Sequence, residues 1–162
     1  MPGPDPSSAS HSHDPGQALA AAEALARDRG LRLTPVRRRV LEILLTEGCA
    51  LGAYDVLARL GEEGFGSQPP VAYRALDFLV EHGFAHRIRR LNAFAACAHP
   101  HEAHEALFLI CESCNALTEV PGAAVHKAIG AAAYAAGFAV TATTVEALGR
   151  CADCTAAQDA RA

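Results

Sequence analysis

Four of the six cysteines occur as two pairs with the same internal spacing, Cys111-Glu-Ser-Cys114 and Cys151-Ala-Asp-Cys154. Two residues between cysteines let both thiolates bind one ion, and two such pairs can complete the tetrahedral sulfur shell of a structural zinc ion. The same spacing also occurs in redox dithiols, and paired cysteines can form disulfides. The types and spacing of these residues therefore leave three alternatives: a metal clamp, a redox switch and a disulfide staple.

The compartment expected for the protein bears on this choice. The N-terminal residues contain no basic segment followed by an apolar stretch, and no run of about 18 apolar residues occurs in the 162-residue chain. We therefore expect a cytoplasmic protein with no membrane partner. In that reducing compartment, paired cysteines are more often metal ligands or catalytic thiols than disulfides. The staple is thus disfavoured.

The net charge of −4 is unevenly distributed. Residues 27–90 carry 11 Lys and Arg against 8 Asp and Glu, residues 91–162 carry 3 against 7, and residues 1–26 add −3. A mildly basic half joined to an acidic half indicates two functions. Because duplex DNA responds to a local basic face, the first half remains a candidate for DNA binding.

Helical composition and apolar periodicity predict four helices in the first half of the chain. They lie at about residues 17–29, 35–47, 53–60 and 69–82. Thr34 and Pro35 form a natural start for the second helix, and glycine ends both the second and the fourth. The segment "FAHRIRRLNAFAAC" then predicts a β-hairpin, in which Asn92 tolerates a left-handed backbone. Helices followed by a hairpin are typical of a winged helix-turn-helix.

The second half predicts a small α+β unit. Two strands ("EALFLIC" and "NALTEV"), a helix ("GAAVHKAIGAAAYAAG") and a β-branched strand ("FAVTATTVEAL") follow one another. The predicted divisions of the chain are a disordered tail at 1–16, a winged-helix domain at 17–92, a hinge at 93–100, a second domain at 101–156 and a tail at 157–162.

Residues from about Leu31 to Cys154 resemble the ferric uptake regulator (Fur) superfamily of bacterial metal-sensing repressors, and within it the branch of zinc uptake regulators. The likeness rests on "RLTPVRRRVLEIL", "AYDVL", "PPVAYRALDFLVEHGFAHRI", "CAHPHEAHEALFLICESC" and "EALGRCADC". Three positions depart from the family pattern: Val71-Ala72 replaces Thr-Val, and Asn115 replaces a frequent glycine. The resemblance implies an α+β fold, with an N-terminal winged helix-turn-helix domain followed by a small α/β dimerisation domain.

The resemblance also implies about two zinc ions per subunit. Cys111, Cys114, Cys151 and Cys154 would hold a structural ion, in a closed shell that favours the clamp over the redox switch. A regulatory ion would be bound by His86, Cys97, His104 and Glu119. The soft thiolate in this second set favours zinc over ferrous iron.

A third set of residues is expected to bind DNA. Tyr73 and Arg74 lie on the outward face of the fourth helix, where a recognition helix enters the major groove. Tyr54 and Arg37 are predicted to contact phosphates, and Arg89 and Arg90 to follow the DNA backbone from the wing. Arg38, Arg39 and Arg59 are expected only to coat a solvated surface.

The implied function is that of a homodimeric repressor, which binds a palindromic AT-rich operator when zinc is replete and silences zinc-uptake genes. We expect neither an enzyme nor a small-molecule substrate. A related sensor of iron, manganese or peroxide is the nearest alternative. A zinc enzyme, with His86, Cys97 and His104 as ligands and Glu119 as general base, and a thiol oxidoreductase are more distant ones. A zinc enzyme gives the Tyr-Arg pair of the fourth helix no role, and a thiol oxidoreductase needs only one of the two cysteine pairs.

Overall fold

The computed structural model describes residues 14–100 and 105–159. Within these residues it contains six helices and six short strands. The helices are α1 (Pro15–Asp28), α2 (Pro35–Glu47), α3 (Ala53–Glu62), α4 (Pro69–Glu81), α5 (Ala123–Ala135) and α6 (Ala152–Asp159), and the strands are β1 (Leu51–Gly52), β2 (Ala85–Ile88), β3 (Ala93–Ala96), β4 (Ala106–Cys111), β5 (Leu117–Pro121) and β6 (Val145–Gly149).

Local signals fix the ends of the predicted helices. The Thr34 hydroxyl accepts a hydrogen bond from the Arg37 N–H over 3.4 Å at the start of α2. Gly48, with φ at 61°, ends that helix in the left-handed conformation that glycine adopts without strain. Two prolines occupy the first turn of α4, and Gly83 follows its last turn. All four helices predicted in the first half are confirmed.

The N-terminal unit, which comprises α1–α4 and β1–β3, has a core of its own. The apolar stripes of α2 and α4 are buried against each other and against Phe84 and Phe94. Strands β2 and β3 pair antiparallel as the predicted hairpin, and Asn92 has φ at 48° in its turn. The short strand β1 pairs with β3 and completes the sheet, although its two residues carry no pattern that predicts a strand.

The C-terminal unit comprises β4–β6, α5 and α6. Its sheet has the order β5-β4-β6, in which β5 pairs antiparallel and β6 pairs parallel with β4, and α5 connects β5 to β6. The predicted strand over residues 138–148 is wrong for its first seven residues, since β6 spans only Val145–Gly149. Strand β6 pairs with β4 only from Leu107 to Cys111. Residues 138–144 do not pair with β4, and β-branched residues alone do not make a strand without a partner. Helix α6 was not predicted.

The β2–β3 hairpin is the wing of the N-terminal unit. Its sheet packs face to face against the second sheet, which is formed by β4–β6. Ile88 and Ala95 from the wing form one buried cluster with Phe108 and Ile110 from β4. The His86 ring meets the Phe108 ring edge-on, with 5.0 Å between centroids. The described residues therefore bring the hairpin of the N-terminal unit directly onto the sheet of the C-terminal unit. The predicted fold class is confirmed.

Candidate metal centres and DNA-binding surface

The four paired cysteines converge where β4 and β6 end. Cys111 is the last residue of β4, and its carbonyl accepts a hydrogen bond of 2.9 Å from the Asn115 N–H. This turn uses the left-handed conformation of Asn115, at φ 59°, and carries Cys114 back toward the strand end. Cys151 follows β6 and Cys154 lies in α6. The parallel pairing of β4 with β6 thus brings two distant cysteine pairs together.

The sulfur separations fit one tetrahedral zinc ion. Four sulfurs about 2.3 Å from a shared ion lie about 3.8 Å from one another. The Cys114 and Cys151 Sγ atoms are 3.8 Å apart, and all four sulfurs lie within 4.8 Å of one another. A disulfide bond is only about 2.05 Å long. The Cys114–Cys151 separation in this structure therefore excludes a staple between them.

The backbone around the cluster favours thiolate. The Cys151 N–H donates to the Cys111 sulfur over 3.4 Å and, with other N–H groups of the turn, lowers the pKa of Cys111 to about 6. The hydrogen bond with Cys151 and the other sulfurs raise the pKa of Cys154 to about 12. Further thiolates in this cluster would repel one another, so they require a cation. Four thiolates around one ion form a closed shell without an open position for catalysis.

A second group of candidate ligands lies between the two units. It comprises His86 of β2, Cys97 immediately after β3, and Glu119 of β5, with ligand atoms within 4.8 Å of one another. The His86 Nε2 and Glu119 Oε1 atoms are 3.6 Å apart. The structure thus brings together three of the four residues predicted for the regulatory site. The fourth, His104, lies outside the described residues.

The connecting segment, which begins with Cys97 after β3 and leads to β4, is also joined to the second sheet through Glu119. The Ala98 N–H donates to Glu119 Oε2 over 3.3 Å. Cys97 is buried, and this burial, together with the nearby Glu119 charge, raises the pKa of its thiol to about 12. A bound cation could hold a thiolate, an imidazole and a carboxylate together in one buried site. Of the remaining histidines, His126 places Nε2 3.2 Å from the Ala106 carbonyl oxygen, outside both groups.

Most residues predicted to bind DNA are exposed on the N-terminal unit. Tyr73 and Arg74 project from the first turns of α4, and Tyr54, with 69% of its surface exposed, lies near the start of α3. Arg89 and Arg90 are exposed in the turn of the wing. None of these five side chains contributes to the core, so each is available to a ligand.

Arg37 is placed differently. Its guanidinium carbon lies 3.6 Å from the centroid of the Phe78 ring, and its Nη1 donates to the Arg32 carbonyl over 2.9 Å. Arg37 therefore ties the start of α2 to α4, and its predicted phosphate contact remains a prediction. The arginines expected to coat the surface do form ion pairs with glutamates there: Arg38 with Glu23, Arg39 with Glu63, and Arg59 with Glu47.

Sequence reasoning missed one residue in this region. Glu146 of β6 accepts hydrogen bonds from the backbone N–H groups of Arg89 and Arg90 in the wing turn. A glutamate in an edge strand carries no sequence signal for such a contact. Only the packing of the two sheets reveals it.

Residues 28–148 match the Ferric uptake regulator family, so the chain belongs to that family. The zinc uptake regulation protein of Escherichia coli (strain K12) is 37% identical over 137 residues, which make up 84% of this chain and 80% of the relative. The resemblance inferred from the sequence motifs is thus confirmed. Membership in a family of regulators agrees with the expectation that the chain is not an enzyme.

Solved structures extend the likeness to the fold. A structure described as a zinc uptake regulator complexed with zinc and DNA is 34% identical, with a TM-score of 0.86 over 91% of this chain and 99% of that chain. Holo XcZur is 40% identical, with a TM-score of 0.80 over 86% of this chain and 98% of that chain. Apo XcZur, also 40% identical, has a TM-score of only 0.51, over 88% of this chain and 98% of that chain. This chain therefore agrees more closely with the holo structure.

One further property concerns the helices of the described residues. None of them is both long and apolar enough to cross a membrane.

Proposed function

We propose that this chain is a cytoplasmic, zinc-responsive transcriptional repressor of zinc-uptake genes, which binds operator DNA as a homodimer when zinc is replete. The observation that carries the proposal is the group formed by His86, Cys97 and Glu119. Its members come from the wing, the connecting segment and the second sheet. Metal occupancy and the arrangement of the two units are therefore coupled. The likeness to a zinc uptake regulator complexed with zinc and DNA supports the proposal.

The two metal centres have different roles in this proposal. Cys111, Cys114, Cys151 and Cys154 hold a structural ion that ties the ends of β4 and β6 together. His86, Cys97 and Glu119, completed by His104, form the regulatory site. About two zinc ions per subunit result. A mixed set of nitrogen, sulfur and oxygen ligands suits reversible binding better than four thiolates, because only one of its ligands is a soft thiolate.

The regulatory residues transmit occupancy through their positions in the fold. We propose a winged-helix domain at 17–92, a hinge at 93–100 that begins with strand β3, and a dimerisation domain at 101–156. His86 moves with the first of these and Glu119 with the last. A bound zinc ion would supply the positive charge that stabilises Cys97 as a thiolate beside the Glu119 carboxylate. Gathering these donors favours one arrangement of the domains over others.

DNA recognition follows from the exposed face of α4. Arg74 can donate two hydrogen bonds to a guanine edge, and Tyr73 offers its ring to thymine methyl groups. Tyr54 contacts phosphates, as does Arg37 once it leaves the Phe78 ring, while Arg89 and Arg90 follow the backbone from the wing. Because these groups belong to the N-terminal unit, their spacing in a dimer depends on how each wing docks on its C-terminal unit.

The C-terminal unit provides the surface for a second copy. Helix α5 has no buried residue in the single chain, although its composition is apolar. Tyr134 is 88% exposed and Phe138 is 68% exposed. Apolar side chains exposed to this extent are typical of an interface. A two-fold dimer presents two α4 helices, which matches a palindromic operator; its AT-rich composition is carried over from the family likeness.

A sensor of iron, manganese or peroxide is the second candidate. It would use the same fold, and the family name itself refers to ferric uptake. The buried Cys97 favours zinc, because a soft thiolate suits zinc better than it suits manganese or ferrous iron. The two candidates therefore differ in the inducing ion and in whether Cys97 binds it.

Buffered-metal titrations test this function. Protein that retains only its structural zinc would be titrated with zinc, Fe(II) or Mn(II) under anaerobic conditions. Binding to a fluorescent duplex, selected from a randomised pool by the zinc-loaded protein, would be followed by anisotropy. We expect DNA binding to appear with scarce free zinc and Cys97→Ser to shift it to higher zinc. Cys49→Ser is the matched control, since Cys49 belongs to neither metal centre.

Two outcomes would contradict the proposal. Activation by Fe(II) or Mn(II), with Cys97→Ser indistinguishable from Cys49→Ser, would show that the inducer and the regulatory site are wrong. If the pool yields no duplex that the protein binds in a metal-dependent manner, the proposed repressor function is wrong.

A further inference from the structure

One row of side chains crosses the second sheet and faces the wing. Phe108 of β4 is in register with Glu119 of β5 on one side and with Glu146 of β6 on the other. Residues in register on neighbouring strands project from the same face of a sheet. Phe108 packs against Ile88 of the wing in the buried cluster between the two sheets. The two carboxylates therefore flank the apolar contact at which the units meet.

Each carboxylate of this row holds a different part of the N-terminal unit. Glu119 lies beside His86 and accepts a hydrogen bond from the Ala98 N–H. Glu146 uses both of its oxygens on the wing turn: Oε1 accepts from the Arg89 N–H over 2.7 Å, and Oε2 from the Arg90 N–H over 2.9 Å. Glu119 thus belongs to the regulatory group, whereas Glu146 lies outside it.

The geometry at Glu146 is that of a two-point clamp. Hydrogen bonds to a carboxylate are shorter and stronger than those between neutral groups, and two parallel bonds fix orientation as well as distance. The acceptor is on β6, and the donors lie in the turn that the Asn92 N–H closes onto the Arg89 carbonyl over 3.1 Å. Because backbone N–H groups donate here, the exposed side chains of Arg89 and Arg90 stay available to DNA.

We propose that Glu146 is a positioning residue for DNA binding. It clamps the wing turn and so holds the N-terminal unit in the orientation that binds the operator. The inference rests on the proposed function and adds a second anchor to it. The regulatory group secures one end of the row, and Glu146 secures the other. The clamped turn carries Arg89 and Arg90, so its orientation decides where both guanidinium groups meet the DNA backbone.

The clamp also gives the four-cysteine centre an influence on DNA binding. Strand β6 ends at Gly149, whose carbonyl accepts from the Glu112 N–H over 2.9 Å, and Cys151 follows two residues later. The structural centre therefore holds β6 in register beside β4, and this register places Glu146 opposite the wing turn.

Hydrogen exchange and DNA affinity of one variant pair test the clamp. Glu146→Gln keeps the shape of the side chain but replaces one accepting oxygen with an NH₂ group that faces an N–H donor. Glu62→Gln is the matched control, because it removes the same charge from an exposed position on α3. Removal of a negative charge alone would leave DNA affinity unchanged or raise it. Loss of the clamp lowers DNA affinity, so the two accounts differ in sign.

The first readout needs no DNA. In the zinc-loaded protein, we expect the Arg89 and Arg90 amides to be protected from exchange, and Glu146→Gln to speed their exchange by roughly tenfold, in line with loss of a hydrogen bond to a charged group. Glu62→Gln should leave both rates unchanged. Unprotected Arg89 and Arg90 amides in the unmodified protein would overturn the proposal without any variant.

The second readout is anisotropy with the selected duplex at saturating zinc. We expect Glu146→Gln to weaken binding by roughly tenfold, and Glu146→Asp, which keeps the charge but is one methylene shorter, to weaken it as well. Equal affinities of Glu146→Gln and Glu62→Gln would overturn the role in DNA binding. If the unmodified protein binds no duplex, the proposed function fails, whereas the exchange rates still decide whether the clamp exists.

Discussion

The N-terminal and C-terminal units are held together in different ways. In the first, the facing stripes of α2 and α4 are buried, and Val40, Leu76 and Leu79 have no exposed surface. In the second, α5 buries no residue, and the buried side chains of β4 pack largely against the wing. The first unit is thus stabilised by its own hydrophobic core. We propose that the second is stabilised instead by its cysteine centre, by the docked wing and by a second copy of the chain.

Under the proposed function, this difference lets the N-terminal unit keep its own fold while its arrangement relative to the C-terminal unit responds to metal. The core of the N-terminal unit contains no candidate metal ligand of the cysteine centre, so we expect α4 to stay folded without that ion. The stability of the C-terminal unit is expected to change with its bound partners, because a partner that binds only the folded form stabilises that form. The predictions below test this contrast, beginning with the largest expected effect.

Loss of the cysteine centre should unfold the C-terminal unit and leave the helical core of the N-terminal unit folded. We expect Cys154→Ser to remove one zinc ion per subunit and to unfold that unit, because structural zinc contributes about 10 kcal/mol or more of apparent binding energy. Metal analysis and ¹H–¹⁵N correlation spectra would measure the outcome. Signals of α2 and α4 should persist in the variant, and Cys49→Ser should change neither measurement. A Cys154→Ser protein with an intact C-terminal spectrum would show that the unit does not need the ion.

A core truncation and a surface truncation should separate the two units further. Leu76 is fully buried in α4, so Leu76→Ala is expected to lower the free energy of unfolding of the N-terminal unit by about 2–5 kcal/mol. Tyr134 is 88% exposed on α5, so Tyr134→Ala should leave that free energy unchanged and instead weaken dimerisation. Urea denaturation and sedimentation equilibrium report the two quantities. The contrast fails if Tyr134→Ala dimerises as tightly as the unmodified chain.

Zinc affinity of the regulatory site should depend on pH. Burial raises the pKa of Cys97 to about 12, so its thiol is protonated throughout the neutral range, and binding as a thiolate must release that proton. Affinity is therefore expected to rise by about tenfold per pH unit between pH 7 and 8. Competition with a chelator of known pH dependence would measure it. In Cys97→Ser this slope should largely disappear, and an unchanged slope would assign the proton to another group.

The smallest effect concerns a link between α4 and the connecting segment. Arg29 donates to the His82 carbonyl at the end of α4 and to the Pro100 carbonyl, over 3.2 and 3.0 Å. Because these bonds are exposed, we expect Arg29→Ala to cost about 1 kcal/mol and to weaken zinc-dependent DNA binding by less than tenfold. Denaturation and anisotropy would be compared with Arg27→Ala, which removes a neighbouring arginine of α1. Equal unfolding free energies and equal DNA affinities of the two variants would show that Arg29 does not stabilise this link.

Much of the N-terminal unit could be predicted because its signals are local. Thr34, Pro35 and Gly48 mark the ends of α2 through contacts within a few residues. The hairpin turn at Asn92 is likewise set by a backbone conformation that few residue types tolerate. Strand β1 and the true length of β6 could not be predicted, since each is defined by a partner strand distant in sequence.

The candidate sites divide along the same line. The sequence alone predicted the four cysteines as one candidate centre, because the spacing within each pair lets both sulfurs bind one ion, and the family resemblance favoured a zinc clamp over a redox switch. Spacing could not group His86, Cys97 and Glu119, for which the family resemblance was needed, and it gave no indication of Glu146. Only the tertiary structure decided these contacts. They arise where two sheets from separate parts of the chain pack face to face, and the register across β5, β4 and β6 then fixes which side chains meet the wing.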